Sequence, residues 1–499
     1  MSKIQDVKKE RSTASAKSNR TVALKTPTTV DRGIPCRLYY KQIHKPINLQ
    51  ALSETFATLN NPSILGGNIA RKDTDRFSYW GAGPKEVFEF LSGQTEPFTK
   101  LQKVLNKYKL KDHETALPKG MFRGGWVGYF SYELGRYIEK LPESTIDDLR
   151  MPLIRLCFYD RFIAYDHLED TLWLIELQTP NDTQKPQEKL AALEKLLGES
   201  ERTHLSSPRP ADIENIDFSQ IRCNMDKSYY LEAIEKIKRY IYDGDVYQIN
   251  FSQRFECDYQ AKAIDLFHWQ NYYNPSPYSA YIDAGTFQIV SASPEMFITI
   301  EDGIISTKPI KGTRPRVSEA GEGENINAKN FDELAGSEKE QAELNMIVDL
   351  ERNDIARICE PGTRKVVQPR TIESYPTVFH AVATVAGRLR KEITFCDILR
   401  AMFPGGSITG APKIRSMEII DETEPTARGV YTGSIGYIGL DGSVSLNIAI
   451  RTIIINNQKA FTQTGGGIVA DSDPQAEWNE TLTKARALLA GIRAVQCNS

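Results

Sequence analysis

The chain contains 499 residues, of which 40% are hydrophobic and 25% are charged, and its net charge at neutral pH is −3. A single hydrophobic core stops growing below this length, so the sequence predicts either one large two-part domain or two domains. The small net charge gives no electrostatic reason to expect a nucleic acid or membrane partner. No apolar run reaches the roughly 18 residues that a membrane-spanning helix needs.

Sulfur and imidazole ligands are scarce in this chain. The seven cysteines are scattered without a C-x-x-C pair, and none of the six histidines stands at H-x-x-x-H spacing. This usage is typical of a reduced, intracellular protein without a zinc site. Any metal site is therefore expected to use oxygen ligands and to favour magnesium. We expect a cytoplasmic protein.

The chain begins with a polar segment. Residues 1–30 are rich in Ser, Thr and Lys and lack apolar periodicity, which predicts a disordered tail. An organellar transit peptide is the alternative interpretation, but Asp6, Glu10 and the small number of arginines argue against it.

Residues 31–205 are predicted to form an N-terminal subdomain that is rich in β-strands. Aromatic strands are expected at 38–40 and 124–130, and a hairpin is expected to join 156–165 to 171–175. A short charged helix follows at about 187–197, and the Ser/Pro-rich residues 206–210 are the best candidate linker. We interpret the aromatic residues of this part as core.

The remaining residues, 206–499, are predicted to form a second region. Its predicted helices lie at about 226–243, 337–357, 413–421 and 474–494, and its strands at 245–255, 278–282, 287–291, 303–307, 431–440, 444–451 and 461–464. Period-2 alternation in the first of these strands puts Gln248 and Asn250 on one face. Asp441-Gly442 predicts a tight hairpin turn.

A lysine stands where the strand at 303–307 is predicted to give way to a proline-rich turn. The stretch reads Pro309-Ile310-Lys311-Gly312-Thr313-Arg314-Pro315. Gly312 permits backbone angles or a close approach that other residues do not, and the prolines stiffen both flanks. Lys311 is therefore either a fixed chemical group or part of a cationic turn exposed to water.

Two helices each carry a pair of glutamates three residues apart. Glu340 and Glu343 share one face of the helix at 337–357. Glu477 and Glu480 share one face of the last helix, with Lys484 one turn later. A single glutamate on a helix is usually solvated, but two separate E-x-x-E pairs are not expected of a random solvated face.

Two glycine-rich segments could hold an anion. Residues 404–413 have glycines five apart but end in A-P-K, without the G-K-[ST] of a nucleotide-binding loop. We predict a loop that leads into a helix N-terminus and suits a carboxylate. Gly465-Gly466-Gly467 is predicted to end a strand and to expose backbone N–H groups. Arg451 is predicted to be a single cation on the small, polar face of the strand at 444–451.

Residues from about 224 to 493 resemble the chorismate-utilising enzymes, which include the large subunits of anthranilate synthase and aminodeoxychorismate synthase, isochorismate synthase and salicylate synthase. The matching stretches, in order, are 244–250, 291–295, 346–354, 403–413, 450–452, 465–471 and 477–484. The resemblance implies an α+β fold of two packed antiparallel β-sheets flanked by helices, with the site between C-terminal elements. The linker would then be a crossing between two subdomains of one fold.

Two positions distinguish the members of this family. Members that form aminodeoxychorismate read P-I-K-G-T at the lysine stretch, as this chain does, whereas anthranilate synthases have alanine in place of Lys311. Members that use water carry a lysine base at the position of Gln248, and this chain resembles the members that use ammonia. The resemblance therefore implies that chorismate is aminated at carbon 4, in the synthesis of 4-aminobenzoate for folate.

The resemblance also implies roles for individual residues. Lys311 would add to ring carbon 2, Glu295 would be the general acid/base, and His380 would face the leaving hydroxyl. The free lysine pKa of about 10.4 would have to be lowered by burial and by the nearby metal charge. The residues implied to hold the substrate are Gln248, Thr313, Tyr431, Arg451, Gly465, Gly466, Gly467 and Lys484.

The same resemblance implies a magnesium ion on the ring carboxylate of chorismate. Glu343 and Glu480 would be its direct or near-direct ligands, with Glu340 and Glu477 behind them, partly through water. Magnesium is also the metal that the scarcity of cysteine and histidine favours.

A possible tryptophan site is expected in the N-terminal half, because some relatives bind tryptophan there. The chain reads Ile64-Leu65-Gly66-Gly67 where those relatives have L-L-x-S, so glycine replaces the serine. The positions that do match are Arg76, Phe77, Pro277, Tyr278 and Ser279. No G-x-C-x-G-x-Q motif of a glutaminase is present, so ammonia would come from a separate glutaminase subunit or from solution.

Two other interpretations are open. An anthranilate synthase large subunit would share every feature except Lys311. A paralogue without catalysis could bind the glutaminase or sense tryptophan, but such a protein has no physical need for Lys311, Glu295, His380 and both glutamate pairs together.

Overall fold

In this computed structural model, the described residues are 33–66, 76–111, 116–202, 207–211, 213, 216–318 and 322–496. From Ile34 onward, these residues form one compact unit. The disordered tail predicted for residues 1–30 lies outside the described residues.

The helices begin and end where the local sequence favours it. The Ser337 side chain accepts a hydrogen bond from the Glu340 N–H, and the Asp226 side chain accepts one from the Tyr229 N–H. Pro412 directly precedes its helix, at a position where a missing N–H removes no helical hydrogen bond. In chain order, the α-helices are α1 (Leu49–Ala57), α2 (Pro97–Leu105), α3 (Pro186–Ser200), α4 (Lys227–Tyr242), α5 (Ala263–Tyr273), α6 (Gly323–Gly336), α7 (Glu338–Ala356), α8 (Phe395–Met402), α9 (Lys413–Thr423) and α10 (Pro474–Gln496).

The strands alternate with these helices along the chain. They are β1 (Ile34–Ile43), β2 (Ser63–Leu65), β3 (Phe77–Gly81), β4 (Glu86–Phe90), β5 (Tyr108–Leu110), β6 (Gly125–Phe130), β7 (Ile154–Tyr159), β8 (Arg161–Asp166), β9 (Thr171–Gln178), β10 (Arg222–Cys223), β11 (Gln248–Asp258), β12 (Tyr278–Asp283), β13 (Phe287–Ser293), β14 (Met296–Glu301), β15 (Ile304–Lys308), β16 (Ile310–Pro315), β17 (Lys365–Ser374), β18 (Val378–Arg388), β19 (Gly410–Ala411), β20 (Ser434–Gly439), β21 (Val444–Asn447), β22 (Thr452–Asn456) and β23 (Lys459–Ile468). β1 and β5 pair in parallel, and the neighbouring pairs of each sheet are otherwise antiparallel.

These strands form two sheets. The first has 13 strands in the order β10-β11-β23-β22-β13-β12-β2-β3-β8-β9-β1-β5, with β19 paired to β11. The second has 10 strands in the order β16-β18-β15-β14-β21-β20-β6-β7-β4, with β17 paired to β18. Both sheets combine strands from both sides of the predicted boundary between residues 205 and 206. The subdomain boundary itself stays a prediction.

Side chains from the facing sheets form a shared core. Tyr129 of β6 and Tyr159 of β7, from the second sheet, belong to one buried cluster with Phe162 of β8, Ile282 of β12 and Ile289 of β13 from the first. Helices α1, α3, α5 and α10 pack with the 13-stranded sheet, and α2 and α8 pack with the 10-stranded sheet. The fold is therefore α+β, with two packed, largely antiparallel sheets flanked by helices, as the sequence predicts.

Many predicted elements agree with the structure. The helices predicted at 187–197, 226–243, 337–357, 413–421 and 474–494 correspond to α3, α4, α7, α9 and α10. Asp441-Gly442 joins β20 to β21, and residues 167–170 join β8 to β9. α6 lies in a stretch for which the sequence predicts no helix.

Several predicted strands were wrong in their limits. The strand predicted at 156–165 is divided at Asp160 between β7 and β8, which belong to different sheets. The stretch around Lys311 is strand β16 and not a turn, because it pairs with β18. The strand before Gly465 does not end at the three glycines but continues to Ile468, because β23 pairs with β11 along its whole length.

Two expectations from composition concern membranes and thiols. No helix within the described ranges is long and apolar enough to cross a membrane. The cysteines of the described residues are all free, which agrees with a reduced protein. Burial raises the pKa of the Cys36 thiol to about 11, and a protonated thiol is a poor nucleophile.

Candidate active site

Lys311 lies on a strand whose pairing is interrupted. β16 pairs with β18 at Ile310 and again from Thr313, and the register shifts between these residues. Gly312 has a φ of +94°, and a Cβ at this position would lie 2.8 Å from Glu340 Oε2. Glycine therefore permits both the bulge and the close approach of α7 to the lysine strand.

The Lys311 amine lies beside a buried carboxyl group. Lys311 Nζ donates a hydrogen bond to the Ser407 carbonyl at 3.2 Å, and the Ile310 N–H donates to Glu295 Oε1 at 3.3 Å. Burial lowers the pKa of Lys311, although Glu295 and Glu343 act in the opposite direction. Burial raises the pKa of Glu295, although Ser407 and Lys311 oppose this. The pair can thus supply a neutral amine and a protonated acid closer to neutral pH than either group would in water.

His380 lies on β18, opposite the lysine strand. Thr313 and His380 are register partners, and Thr313 Oγ1 lies 2.8 Å from His380 Nδ1. The buried imidazole also meets the Tyr375 ring edge-on, with the centroids 5.3 Å apart. Sheet pairing and these two contacts therefore fix the His380 ring next to β16.

The first glutamate pair points from α7 toward the same strand. Glu340 Oε1 accepts a hydrogen bond from Arg314 at 2.8 Å, whereas Glu340 Oε2 is buried without a partner. Burial raises the pKa of Glu343, and Lys311 acts against it. The like charges of Glu340 and Glu480 raise the pKa of Glu343 further. Buried carboxylates beside like charges favour a bound cation.

The second glutamate pair lies on α10, beside the three glycines of β23. A Cβ on Gly466 would lie 2.9 Å from Glu477 Oε2 and 3.9 Å from Glu480 Oε1. Lys484 Nζ donates to Glu480 Oε1 at 2.7 Å and to the Gly465 carbonyl at 2.9 Å. Burial alone would raise the pKa of Glu480, but Lys484, Lys339 and Lys311 together outweigh burial and the pKa is lowered. Glu480 is therefore the carboxylate of this pair that is held in its charged form.

The donor chemistry of these four glutamates fits magnesium, because all their donors are carboxylate oxygens. The unpaired Glu340 oxygen and the effect of Glu480 on the pKa of Glu343 fit a cation shared between α7 and α10. In the part of the chain that the structure describes, no three His, Cys, Asp or Glu side chains are already grouped as metal ligands. The metal-binding role of Glu340, Glu343, Glu477 and Glu480 stays a prediction.

Arg451 lies between β21 and β22, and the prediction that it stands on a strand face was wrong. The chain bends there, since the Ile450 N–H donates to the Ile448 carbonyl at 2.8 Å, and Arg451 has a φ of +50°. Burial lowers the pKa of Arg451, and no charge or hydrogen bond from the described residues compensates. A guanidinium in this state suits a carboxylate ligand.

Other predicted substrate contacts lie on β11 and near it. Gln248 is buried, and its Oε1 has no hydrogen-bond partner. A Cβ on Gly467 would lie 2.0 Å from Gln248 Nε2, so only glycine fits next to this amide. Tyr431 is buried, which raises the pKa of its hydroxyl, and its ring centroid lies 5.9 Å from the Arg428 guanidinium carbon.

The structure brings part of the predicted site together. The charges of Glu295, Glu343, Lys484 and Glu480 all influence the pKa of Lys311, so these five residues from four parts of the chain lie near one another. The pair of β16 and β18 adds Thr313 and His380. The contacts of the described residues do not link Lys311 directly to the other predicted substrate contacts, which are Gln248, Tyr431, Arg451 and Gly467.

Sequence reasoning missed an ion pair near Tyr431. Arg428 Nη2 lies 2.7 Å from Glu424 Oε1, and both side chains are 1% exposed. Arg428 also donates to the carbonyls of Ile408 and Asn250, and Glu424 Oε1 accepts from the N–H and hydroxyl of Ser252. The E-x-x-x-R spacing alone is typical of a surface pair, so only the fold reveals that it joins β11, the loop before α9 and the turn after α9.

Sequence reasoning also missed Ser407 and Glu351. The loop at 404–413 was predicted to suit a carboxylate, and the Gly406 N–H in fact binds the Glu351 carboxylate of this chain. The segment 348–354 of α7 is dense in charged residues. Arg352 does pair with Asp349, but Asp354 pairs with Lys413 of α9 and Glu351 points inward.

A cavity of about 470 Å³ lies between the two sheets, lined by residues other than those around Lys311. Arg76 of this cavity is held by buried Asp166 through two hydrogen bonds of 2.8 and 2.6 Å. The Arg76 guanidinium carbon lies 4.9 Å from the centroid of the Phe77 ring. Gly67, at the position of the relatives' serine, lies outside the described residues. All five predicted tryptophan contacts line this cavity: Arg76, Phe77, Pro277, Tyr278 and Ser279.

Comparison with known families matches residues 68–490 to the chorismate binding enzymes. The matched region contains β3 to β23 and every residue of the predicted site. Because the match covers most of the chain, this protein belongs to the chorismate binding enzyme family, as the motifs of the C-terminal half indicate.

Individual relatives in this family carry two names. Anthranilate synthase component 1 of Pseudomonas putida is 38% identical over 408 residues, which cover 81% of each chain. Aminodeoxychorismate synthase component 1 of Bacillus subtilis is 39% identical over 381 residues, which cover 76% of this chain and 79% of the relative. The crystal structure of anthranilate synthase component I from Streptococcus pneumoniae is 31% identical and has a TM-score of 0.72, with 84% of this chain and 94% of that chain covered. Because both names occur at nearly equal identity, identity alone does not distinguish the two reactions.

Proposed function

We propose that this chain is an aminodeoxychorismate synthase component 1, which converts chorismate and ammonia to 4-amino-4-deoxychorismate. The observation that carries the proposal is Lys311, a half-buried lysine whose amine lies beside Glu295 and has a lowered pKa. Amination at carbon 4 can use such an amine as a nucleophile, whereas direct amination at carbon 2 needs no lysine at this position. The name of the Bacillus subtilis relative supports the same product.

In the proposed reaction, the neutral Lys311 amine adds to ring carbon 2 while the bond between carbon 4 and its hydroxyl breaks. The hydroxyl leaves as water with a proton from an acid, for which Glu295 and His380 are the candidates. Ammonia then adds at carbon 4, the bond between carbon 2 and Lys311 breaks, and the lysine leaves as an amine. An ordinary lysine, with a pKa of about 10.4, is neutral in roughly one molecule in a few thousand at pH 7, so the lowered pKa of Lys311 supports this role.

The two carboxylates of chorismate would be held by separate cations. We assign the pyruvyl carboxylate to Arg451, whose guanidinium has no ion-pair partner among the described side chains. Glu343 and Glu480, supported by Glu340 and Glu477, would hold magnesium for the ring carboxylate. Magnesium, when bound, would withdraw electrons from that carboxylate and fix its orientation.

The proposed ammonia source is a separate glutaminase subunit. Both curated relatives are named as a component 1, which supports the existence of a second component here. With a high concentration of an ammonium salt, the isolated chain would then be active without its partner.

Anthranilate synthase is the rival function, because the Pseudomonas putida relative is 38% identical. The purified chain should be incubated with chorismate, ammonium chloride and Mg²⁺, and the products separated by chromatography. We expect 4-amino-4-deoxychorismate, with turnover lost on chelation and restored by Mg²⁺. Anthranilate as the product would overturn the proposal, and no consumption of chorismate at high ammonia would favour a paralogue without catalysis.

We also propose that the cavity between the sheets binds tryptophan, because all five matching contacts line it. Isothermal titration calorimetry with tryptophan would measure this, with phenylalanine as the control ligand. We expect saturable heat with tryptophan and none with phenylalanine. The absence of saturable heat at millimolar tryptophan would show that the cavity has lost this function.

A further inference from the structure

Both reactive groups of the proposed site depend on one loop residue. Lys311 Nζ donates to the Ser407 carbonyl at 3.2 Å, and a hydrogen bond from the Ser407 side chain stabilises the charged form of Glu295. A shift of this loop would therefore move the hydrogen-bond partners of the nucleophile and of the acid together.

Glu351 binds the same loop one residue before Ser407. The Gly406 N–H donates to Glu351 Oε1 at 3.1 Å. A Cβ on Gly406 would lie 2.5 Å from a methyl carbon of Leu350 and 3.1 Å from Glu351 Oε1, so the loop backbone is in close contact with α7. The segment Gly406-Ser407 thus binds Glu351 through the Gly406 N–H and Lys311 through the Ser407 carbonyl.

The carboxyl group of Glu351 is buried at a net cost in free energy. Its side chain is 3% exposed, and Oε2 is buried without a hydrogen-bond partner. The nearby Lys413 ammonium pairs with Asp354, at 2.5 Å from Asp354 Oδ2, so two carboxyl groups share one cation. Burial and the nearby charge of Asp354 raise the pKa of Glu351 to about 7, although Lys413 acts in the opposite direction. An apolar side chain would fill this position at lower cost, so stability does not explain a glutamate here.

We propose that Glu351 is a positioning residue for the amination reaction. By accepting the Gly406 N–H, it fixes Gly406 and, through it, the adjacent Ser407, which orients Lys311 and Glu295. Glu351 touches neither the substrate nor the reacting atoms. The effect on rate rests on the proposed function, but the effect on the environment of Lys311 does not.

The first experiment therefore measures Lys311 without any substrate. In the full-length chain, the pH dependence of Lys311 acetylation by acetic anhydride, quantified by peptide mass spectrometry, gives the pKa of its amine. Glu351→Met removes the acceptor at similar volume, and Glu351→Gln keeps an acceptor oxygen but removes the charge. We expect the Met variant to raise the pKa of Lys311 toward its ordinary value, since a released loop admits water, and the Gln variant to stay close to wild type.

Two further variants separate positioning from general loss of stability. Ile355 lies one turn after Glu351 on α7, is fully buried and packs near Gly387. Ile355→Ala should therefore lower Tm without changing the acetylation profile of Lys311. Glu351→Asp keeps the charge but retracts the carboxylate from the Gly406 N–H, so it should raise the pKa of Lys311 as the Met variant does. The Asp variant provides the test if the Met variant does not fold. A wild-type pKa of Lys311 in both the Met and Asp variants, or equal effects of Gln and Met, would overturn the proposal.

Turnover supplies the second measurement. Loss of a hydrogen bond to a charged group is worth about 1.5–3 kcal/mol, so kcat should fall about 10- to 100-fold in the Met variant with KM unchanged, and Gln should restore most of it. A loss that appears in KM alone would contradict positioning of the reactive pair. A wild-type chain that never consumes chorismate would refute the proposed function, while the acetylation profiles would still decide the role of Glu351.

Discussion

Two arginines near the proposed site, buried Arg428 and half-buried Arg451, differ in how their charge is satisfied. Arg428 donates to Glu424, to Thr432 and to two backbone carbonyls, whereas Arg451 has no side-chain partner within the described residues. Burial acts to lower the pKa of both, but Glu424 reverses this at Arg428, where the pKa is raised. The paired charge of Arg428 thus joins elements of the fold, while the charge of Arg451 is left for the substrate carboxylate in the proposed function.

The largest expected effect concerns Lys311, whose amine, among the described residues, donates a hydrogen bond only to the Ser407 carbonyl and forms no ion pair. Lys311→Ala should lower amination at carbon 4 by at least about a thousandfold, because the nucleophile is lost, while the thermal unfolding curve stays close to wild type. Product chromatography and circular dichroism measure the two results. Lys308→Ala is the matched control, since Lys308 pairs with Glu373 and should not be needed for turnover. Undiminished turnover in Lys311→Ala would remove the covalent role.

Removing the paired arginine should affect folding. Arg428→Met leaves Glu424 buried without its cation, so the free energy of unfolding should fall by about 3–5 kcal/mol. Urea unfolding measures this change. The double variant Arg428→Met, Glu424→Gln should recover part of the loss, because no uncompensated charge is left. If the free energy of unfolding of Arg428→Met fell by less than about 1 kcal/mol, Arg428 would not be needed to stabilise the fold.

Removing Arg451 should weaken substrate binding rather than lower the stability of the fold. Arg451→Gln should raise the KM for chorismate about 10- to 100-fold, since a hydrogen-bonded charge on the substrate loses about 1.5–3 kcal/mol. Its free energy of unfolding should change little, because the half-buried guanidinium has no ion-pair partner among the described residues. Steady-state kinetics and urea unfolding test both halves of this expectation. A destabilisation equal to that of Arg428→Met would abolish the contrast between the two arginines.

The smallest effect is expected at a paired carboxylate far along the chain from the site residues. Burial alone would raise the pKa of Asp182, but hydrogen bonds from Lys85, the Thr179 N–H and Lys189 lower it to about 2. Because the folded-state pKa lies below the unfolded one, this stabilisation is present above about pH 4 and is lost as the pH falls toward 2. Asp182→Asn should therefore lower the free energy of unfolding by about 1–2 kcal/mol at pH 7, with the difference vanishing near pH 2 and turnover unchanged. Urea unfolding at several pH values measures it.

Most helices could be predicted from the sequence because their apolar periodicity and their caps are local. The two glutamate pairs of α7 and α10 were predicted for the same reason, since residues three apart on a helix share a face. The motifs of the C-terminal half also indicated the chorismate binding family, which the match over residues 68–490 confirms.

Features that depend on distant partners could not be predicted locally. Prolines around Lys311 indicated a turn, but pairing with β18 makes the stretch a strand. The three glycines of β23 indicated the end of a strand, but their pairing with β11 continues it. The inward direction of Glu351 depends on the distant loop after α8, which binds its carboxylate. Arg451 was placed on a strand because the alternation of 444–451 continues past the bend at 448–451.

The strand order has a consequence for how the chain folds during synthesis. In the 13-stranded sheet, β22 and β23 lie between β11 and β13, although they leave the ribosome long after both. The sheet therefore stays open in the middle until nearly the whole chain has been made, and its closure depends on pairings that are distant in sequence and slow to form. A chain that stops after α9 would expose the facing edges of β11 and β13, and such unpaired edges promote aggregation. The last two strands thus complete the sheet as well as supplying part of the proposed site.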